Sequence, residues 1–255
     1  MRITFLGTGT SQGIPVIGST HPVCLSDNPK DKRMRASILV QINNLNIVID
    51  SGQDFRMQML NANLSHLDAL LFTHEHADHT AGLDDVRQFS LRNGALPLYA
   101  HKRVLTDLVK RFDYIFNDEI IYKGKPEVKT NEITVDSFYI KNQKIIPINL
   151  MHGELPIFGY RIGHMAYLTD VSLITDLEKE KLQNLDILIV DALRIEPHPT
   201  HFNLQQALDL ITELQPKKAY LTHISHKLGF HDEVQANLPK NVFLSYDGLE
   251  VKVSC

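Results

Sequence analysis

His74-Glu75-His76-Ala77-Asp78-His79 follows, after Thr73 alone, on the largely apolar run Leu67-Asp68-Ala69-Leu70-Leu71-Phe72. The run reads as a strand, and the block after it decides how the chain is read. Three imidazoles and the Asp78 carboxylate within six residues are costly to hold together unless a cation gathers them, and neutral His and ionised Asp are standard ligands of zinc and similar divalent ions. His74 and His76 stand two apart, so an extended or tightly turned backbone aims both the same way. Asp78 and His79 offer a second pair on the following turn. One loop can therefore feed two neighbouring metal ions. The plain alternative is a polar turn with scattered histidines. Its position at a strand end, where α/β sheets carry their sites, argues against that.

Working outward, the 255 residues suffice for one large α/β domain spanning 1–255, with a sizeable core. With 43% hydrophobic and 22% charged residues the chain has the balance of a soluble globular protein. The net charge of −4 gives no reason to expect bulk affinity for nucleic acid, although it does not rule out a local basic patch. No apolar run approaches the length of a membrane span. Met1-Arg2-Ile3-Thr4-Phe5-Leu6-Gly7 runs straight into strand-like sequence without a signal-peptide pattern. Cys24 and Cys255 can in principle pair, but two cysteines make no disulfide framework, so a cytoplasmic, reducing setting is expected.

Apolar runs predict strands at Arg2–Leu6, Ser37–Ile42, Asn46–Ile49, Ala69–Phe72, Leu96–Ala100, Lys144–Asn149, Phe158–Ile162, Met165–Leu168, Ile187–Val190 and Lys218–Leu221. Helices are predicted at Asp54–Ala62, Gly82–Arg92, Lys102–Arg111, Asp176–Asn184 and Leu204–Leu214, the last with Asn203 as N-cap. Early strands at hairpin spacing, then strands mixed with helices in both halves, predict an α/β fold of two packed mixed sheets flanked by helices, an αββα sandwich. Residues 113–143 are the least periodic and read as an insertion or a lid.

More ligand types sit just past apolar strands. His152 comes just after Ile145-Ile146-Pro147-Ile148-Asn149-Leu150, Asp170 follows Met165-Ala166-Tyr167-Leu168-Thr169, and His223 follows Ala219-Tyr220-Leu221-Thr222. One such His is more often a satisfied structural residue. Four such positions, counting the block at His74, point to a metal site.

The ordered set His74-x-His76-x-Asp78-His79, His152, Asp170 and His223 resembles the motif signature of the metallo-β-lactamase superfamily, and Asp50 in Ile49-Asp50-Ser51-Gly52 matches its early motif. The resemblance implies the metallo-β-lactamase fold. It implies one divalent ion on His74, His76 and His152, a second on Asp78, His79 and His223, Asp170 between them, and Asp50 supporting the loop from behind. Having both Asp78 and His79 favours a two-metal phosphoester hydrolase over a lactamase. The opening Phe5-Leu6-Gly7-Thr8-Gly9-Thr10-Ser11-Gln12-Gly13-Ile14-Pro15 is similar to that of PhnP-type phosphodiesterases and of tRNase Z, and the segment Gly18 to Cys24 followed by Asp31-Lys32-Arg33-Met34-Arg35-Ala36-Ser37 resembles the PhnP branch. Within it, Arg33 and Arg35 either meet phosphate, which guanidinium matches bidentately, or form a surface ion-pair segment. The PhnP branch often carries a structural zinc. Its positions read Ser19, His21 and Cys24 here, with His226 downstream, so His21, Cys24 and His226 would leave a tetrahedral ion one ligand short.

His201, ahead of the Leu204–Leu214 helix, matches a non-ligand His that would protonate a leaving alkoxide. The implied activity is hydrolysis of small cyclic or linear phosphodiesters by two divalent ions, zinc or manganese, with Asp78 and His201 as the catalytic pair. A small phosphodiester is the expected partner, without a membrane, in a chain that can form a homodimer as relatives often do. The runner-up is tRNA 3′ processing. Against it stand the negative charge and the lack of a basic arm, since residues 113–143 hold only Lys123, Lys125, Lys129 and Lys141 as cations. A metal-binding regulatory protein that has lost catalysis is the non-enzyme alternative.

Overall fold

A computed structural model describes every residue except Asp118, Ile121, Ser254 and Cys255. The pairing of Cys24 with Cys255 therefore falls outside the described residues. The chain first lays down β1 (Arg2–Gly7), β2 (Ser37–Ile42), β3 (Leu45–Ile49), β4 (Ala69–Leu71), β5 (Leu96–His101) and β6 (Val128–Ile133). It then adds β7 (Phe138–Ile140), β8 (Gln143–His152), β9 (Leu155–Ile162), β10 (Met165–Leu168), β11 (Ile187–Asp191), β12 (Lys218–Thr222) and β13 (Val242–Leu244), before β14 (Glu250–Lys252) returns to pair with β1. Two seven-stranded sheets result, ordered β14-β1-β2-β3-β4-β5-β6 and β13-β12-β11-β10-β9-β8-β7. Each combines three antiparallel junctions with three parallel ones.

Strand alternation makes the layers. In β3, Ile47 and Ile49 point between the sheets and Val48 points out; in β11, Ile187 and Ile189 point in and Leu188 and Val190 point out. Both faces are apolar because both are covered. The inner layer joins Phe5, Ile38 and Leu71 of the first sheet to Tyr160, Tyr167 and Ile189 of the second. The outer face of the first sheet packs Val48 and Leu70 against Phe55, Met59, Phe89, Val104 and Leu108. That of the second packs Leu188 and Val190 against Ala207, Leu210 and Leu214 of the helix Leu204–Leu214. There Asn203 caps as expected, in a capping box with Gln206. This is the αββα sandwich.

Residues 113–143 correct the expectation of an insertion or lid. They contain the short helix Asp113–Phe116 and then β6 and β7, which occupy edges of the two sheets and carry the chain from one to the other. Five of the six residues of β6 are exposed or half-buried, as suits an edge, so no apolar alternation marks it in the sequence. The span Asp176–Asn184 is helical only over Asp176–Glu180, and Gly82–Arg92 divides into a 3-10 turn, Leu83–Val86, and a helix, Arg87–Asn93.

Candidate metal centre

The parallel strands place the site. Asp50 follows β3, the His74 block follows β4, Asp170 follows β10, Asp191 ends β11 and His223 follows β12. Asp50, Asp170 and His223 take left-handed backbone conformations, with φ of 67°, 56° and 55°. Such conformations cost about 1–3 kcal/mol each and persist where the surroundings impose them. Here each turns the chain sharply off a buried strand end and brings the side chain back over the sheet edge.

Four overlapping groups of ligand-type atoms form among the described residues; two bring His201 together with His152 and Asp170 or with Asp191 and His223, and the other two gather the predicted ligands. Nitrogens of His74, His76 and His152 lie within 4.8 Å of one another, and so do atoms of Asp78, His79, Asp170 and His223. Asp170 stands between the groups. Its Oδ1 is 3.3 Å from Nε2 of both His79 and His223, and its Oδ2 is 3.9 Å from His74 Nε2. The imidazoles are aimed from behind. His79 Nδ1 donates to Asp50 Oδ2 at 2.7 Å, and Asp50 also receives the Thr73 amide and hydroxyl. The Thr73 oxygen takes His74 Nδ1 at 3.0 Å, and the carbonyls of Asp170 and Thr200 take His152 Nδ1. With Nδ1 protonated in each ring, Nε2 presents a lone pair to the interior.

The residues fit a divalent ion. Nε2 of His74, His79 and His223 is buried without a hydrogen-bond partner, a costly state unless something accepts the lone pairs. Charge points the same way. Against burial, which pushes it down, the carboxylates Asp170, Asp78 and Asp50 hold the His79 imidazole well above its ordinary range. Against burial, which pushes it up, His223 and His79 hold Asp170 well below the carboxylate range. Burial, then the positive neighbour His79, pushes His74 well below the imidazole range. The pocket therefore calls for positive charge, and a proton on His79 meets that need when no metal does.

A second pair flanks the cluster. His201 Nδ1 lies 2.8 Å from Asp191 Oδ2, and its ring stacks on His223 with centroids 4.9 Å apart and packs edge-on to His152 at 4.6 Å. Both members are buried. Burial pushes the Asp191 carboxyl well up and the His201 imidazolium down. Each shift resists separated charge, so one proton is held between Nδ1 and Oδ2, leaving His201 Nε2 as the free edge.

Sequence reasoning missed Asp191, although Ile187-Leu188-Ile189-Val190-Asp191 carries the same signal as Asp170, a carboxylate closing an apolar strand. It also missed the outer clamp on the block: Arg103 pairs with Glu75 at 2.8 Å, and Arg111 binds the Glu75 carbonyl and Thr80. No local pattern announces either arginine.

Two groups of predicted site residues are committed to other partners or form no ligand group of metal size. Arg33 is buried, with its guanidinium donating to Thr8 Oγ1 and the Ser245 carbonyl and contacting His231 Nδ1, so it braces the N-terminal segment and is not free for phosphate. Arg35 is paired to Asp54 at 3.1 Å and bound to the Ser11 carbonyl. The proposed structural zinc site does not assemble. His21 and His226 face each other at 4.9 Å, but Cys24 is buried among Ile14 and Val23. No metal-sized group of three among the described residues includes any of the three. The early glycines serve chain packing: a Cβ on Gly7 would collide with the Arg35 carbonyl oxygen.

Residues 45–224 match the model of the beta-lactamase superfamily domain. A crystal structure described as a new diphosphatase from the PhnP family superposes with a TM-score of 0.93 at 40% identity, covering 99% of this chain and 98% of that one. An octanoyltransferase of Porphyromonas gingivalis is 40% identical over 98% of this chain, and a ribonuclease Z of Prochlorococcus marinus is 23% identical over 83%. The chain spans 51% of the octanoyltransferase and 60% of the ribonuclease Z. No helix among the described residues is long and apolar enough to cross a membrane.

Proposed function

The chain belongs to the metallo-β-lactamase superfamily, as a hydrolase of the PhnP type, and from that premise we propose that it hydrolyses small phosphodiesters at a two-metal centre. One observation carries the reading: Asp170 belongs to one ligand group and stands 3.9 Å from His74 of the other, and the buried His201–Asp191 pair flanks both. His74, His76 and His152 would hold one divalent ion and Asp78, His79 and His223 the other, with Asp170 between them. Bound there, the ions supply Lewis acidity and a water made nucleophilic at neutral pH.

The chain's own residues do the rest. Asp78, its Oδ2 at the rim of the second group, accepts a hydrogen bond from the attacking water and orients it. Asp191 fixes the tautomer of His201, so the Nε2 edge faces the cluster. With one proton already shared with Asp191 at Nδ1, His201 takes a second at Nε2 from solvent, and Asp191 stabilises the resulting imidazolium. As a leaving alkoxide develops, His201 delivers the Nε2 proton to it and returns to the neutral pair. The low basicity that burial gives His201 makes it a ready donor once charged.

The PhnP-family relative described as a diphosphatase supports including a diphosphate linkage among the substrates. A different reading, suggested by the octanoyltransferase relative, is acyl-ester hydrolysis. A cleft of about 190 Å³ favours it: Val135, Pro156, Ile157 and Phe158 line it beside Thr73, next to the metal block, and would suit a short aliphatic chain. The deciding experiment assays purified protein, with metal content measured, on bis(p-nitrophenyl) phosphate, a cyclic ribose phosphate, a dinucleoside diphosphate and p-nitrophenyl octanoate. Turnover of the phosphorus esters with two metal equivalents per chain is expected; turnover of the octanoate alone would overturn the phosphodiesterase reading.

A further inference from the structure

The helix Lys102–Arg111, which follows β5, presents two faces. Val104 and Leu108 are buried against the outer side of the first sheet and fix it in place. Arg103, Asp107 and Arg111 recur every four positions and so share a second face, which meets the His74 block. Arg103 Nε and Nη2 donate to the two carboxylate oxygens of Glu75 at 2.8 and 3.1 Å, and Nη2 also donates to the Pro156 carbonyl at 2.6 Å. Arg111, paired with Asp107, donates to the Glu75 carbonyl at 2.8 Å and to Thr80 Oγ1 at 2.9 Å.

Glu75 stands between two predicted ligands yet belongs to no ligand group. The rings of His74 and His76 approach that of His152, with centroids 5.6 and 5.2 Å away, while the Glu75 carboxylate goes to Arg103. Pro156 lies opposite Met151, the residue before His152, in the β8–β9 pairing. Arg103 therefore touches both segments that supply the first group: the block with His74 and His76, and the hairpin that carries His152. The backbone makes one tie between these segments, from Phe158 N to the Thr73 carbonyl at 3.0 Å, on the strand side of His74. Arg103 makes a second tie on the far side of His74. Two points of attachment fix an angle where one fixes only a distance. In the second group, His79 is braced by Asp50 instead.

We propose that Arg103 is a positioning residue for the ion that His74, His76 and His152 would hold. By clasping Glu75 to the Pro156 carbonyl, it sets how far apart the three imidazoles stand and so how tightly that ion is kept. The inference rests on the two-metal reading above and goes beyond it, because it makes the two ions differ in their dependence on one guanidinium. The planar fork matters: two bonds to one carboxylate fix a direction, which the ammonium of a lysine does not. The side chains of Arg103 and Glu75 keep 33% and 19% of their exposure, so the pair adds little to the stability of the fold as a whole.

The test follows zinc release from the loaded protein into a chromogenic chelator, for the wild type, Arg103→Lys, Arg103→Gln, Glu75→Gln and the double variant Glu75→Gln/Arg103→Gln. Arg103→Gln should release one of its two equivalents about 10- to 100-fold faster than the wild type, since metal affinity typically falls by that factor when a group steering a ligand is removed. In the His76→Ala background, which keeps only the second ion, Arg103→Gln should change nothing. Arg103→Lys should recover part of the loss, Glu75→Gln should match Arg103→Gln, and the double variant should be no faster than either single one. Urea midpoints of the metal-free proteins should agree, which separates positioning from a general loosening. Equal acceleration of both equivalents, or unchanged release in Arg103→Gln, would overturn the clasp and leave the two-metal reading standing. A wild type that holds one equivalent sinks the two-metal reading. The clasp is then decided on that single ion: release at least about tenfold faster in Arg103→Gln sustains it, and slower gains or none refute it.

Discussion

Replacing Asp191 with Asn keeps the shape of a fully buried side chain and removes its charge. The wild-type carboxylate accepts from His201 Nδ1 at 2.8 Å, and its other oxygen is 3.9 Å from His223 Nδ1. An amide there can present a donor to Nδ1, which would drive the proton to Nε2 in the neutral ring and leave an imidazolium unsupported. A hydrogen bond to a charged group is worth about 1.5–3 kcal/mol. At roughly 1.36 kcal/mol per factor of ten, kcat should fall about 10- to 160-fold for a diester with a poor alkoxide leaving group. The same variant should be close to wild type on a p-nitrophenyl diester, whose leaving group departs without a proton. KM and metal content should hold, because Asp191 is beyond hydrogen-bond reach of His223. Single-turnover kinetics on matched methyl and p-nitrophenyl diesters, with elemental analysis of each preparation, measure all of this. An equal loss on both leaving groups, or a loss that tracks missing metal, would refute the assignment of the His201–Asp191 pair as the proton donor.

Removing the metal and titrating it back should release protons at neutral pH, because His79 must give up the proton that Asp170, Asp78 and Asp50 hold on it; calorimetry in buffers of different ionisation enthalpy reads the number. The metal-free protein should lose stability as pH rises, since the folded-state pKa of His79 is raised: that stabilisation is complete below the ordinary imidazole range and lost through the higher folded value, which thermal melts in chelator across pH 6–9 would follow. His76→Ala should lower metal content to about one equivalent per chain and abolish most turnover, measured by elemental analysis and the aryl diester assay. Gly52→Ala should destabilise by roughly 1–3 kcal/mol in urea titration, because a Cβ there would strike the Asp78 carbonyl oxygen and push on the ligand block.

The apolar runs that end in His, Asp or both were legible because burial on two faces writes long Val, Ile and Leu stretches, and a polar residue after one has few reasons to be there. That covered β1 to β5 and β8 to β12 and seven of the cluster's side chains. The four strands not anticipated, β6, β7, β13 and β14, lie toward sheet edges, and β6 and β14 are largely polar in keeping with an exposed rim. Arg33 shows the opposite failure. A guanidinium in that segment suggested either a phosphate contact or a surface ion pair, but its fate was fixed by Ser245 and His231, more than 190 positions away, which no local pattern contains. Cys24 likewise follows the packing of Ile14 and Val23 rather than the spacing to His21.

The repeated order of three antiparallel and three parallel junctions divides the ligands between two halves of the chain. His74, His76, Asp78 and His79 come from the first, and His152, Asp170 and His223 from the second. An ion held by both is a reversible cross-link, between segments 78 positions apart for His74 and His152 and 144 apart for His79 and His223, and closing loops of such lengths is worth about 4.5–5 kcal/mol in chain-entropy terms. Stripping the protein of metal would thus slacken the seam between its two sheets, so cellular metal supply would govern how long the protein survives proteolysis as well as how fast it turns over.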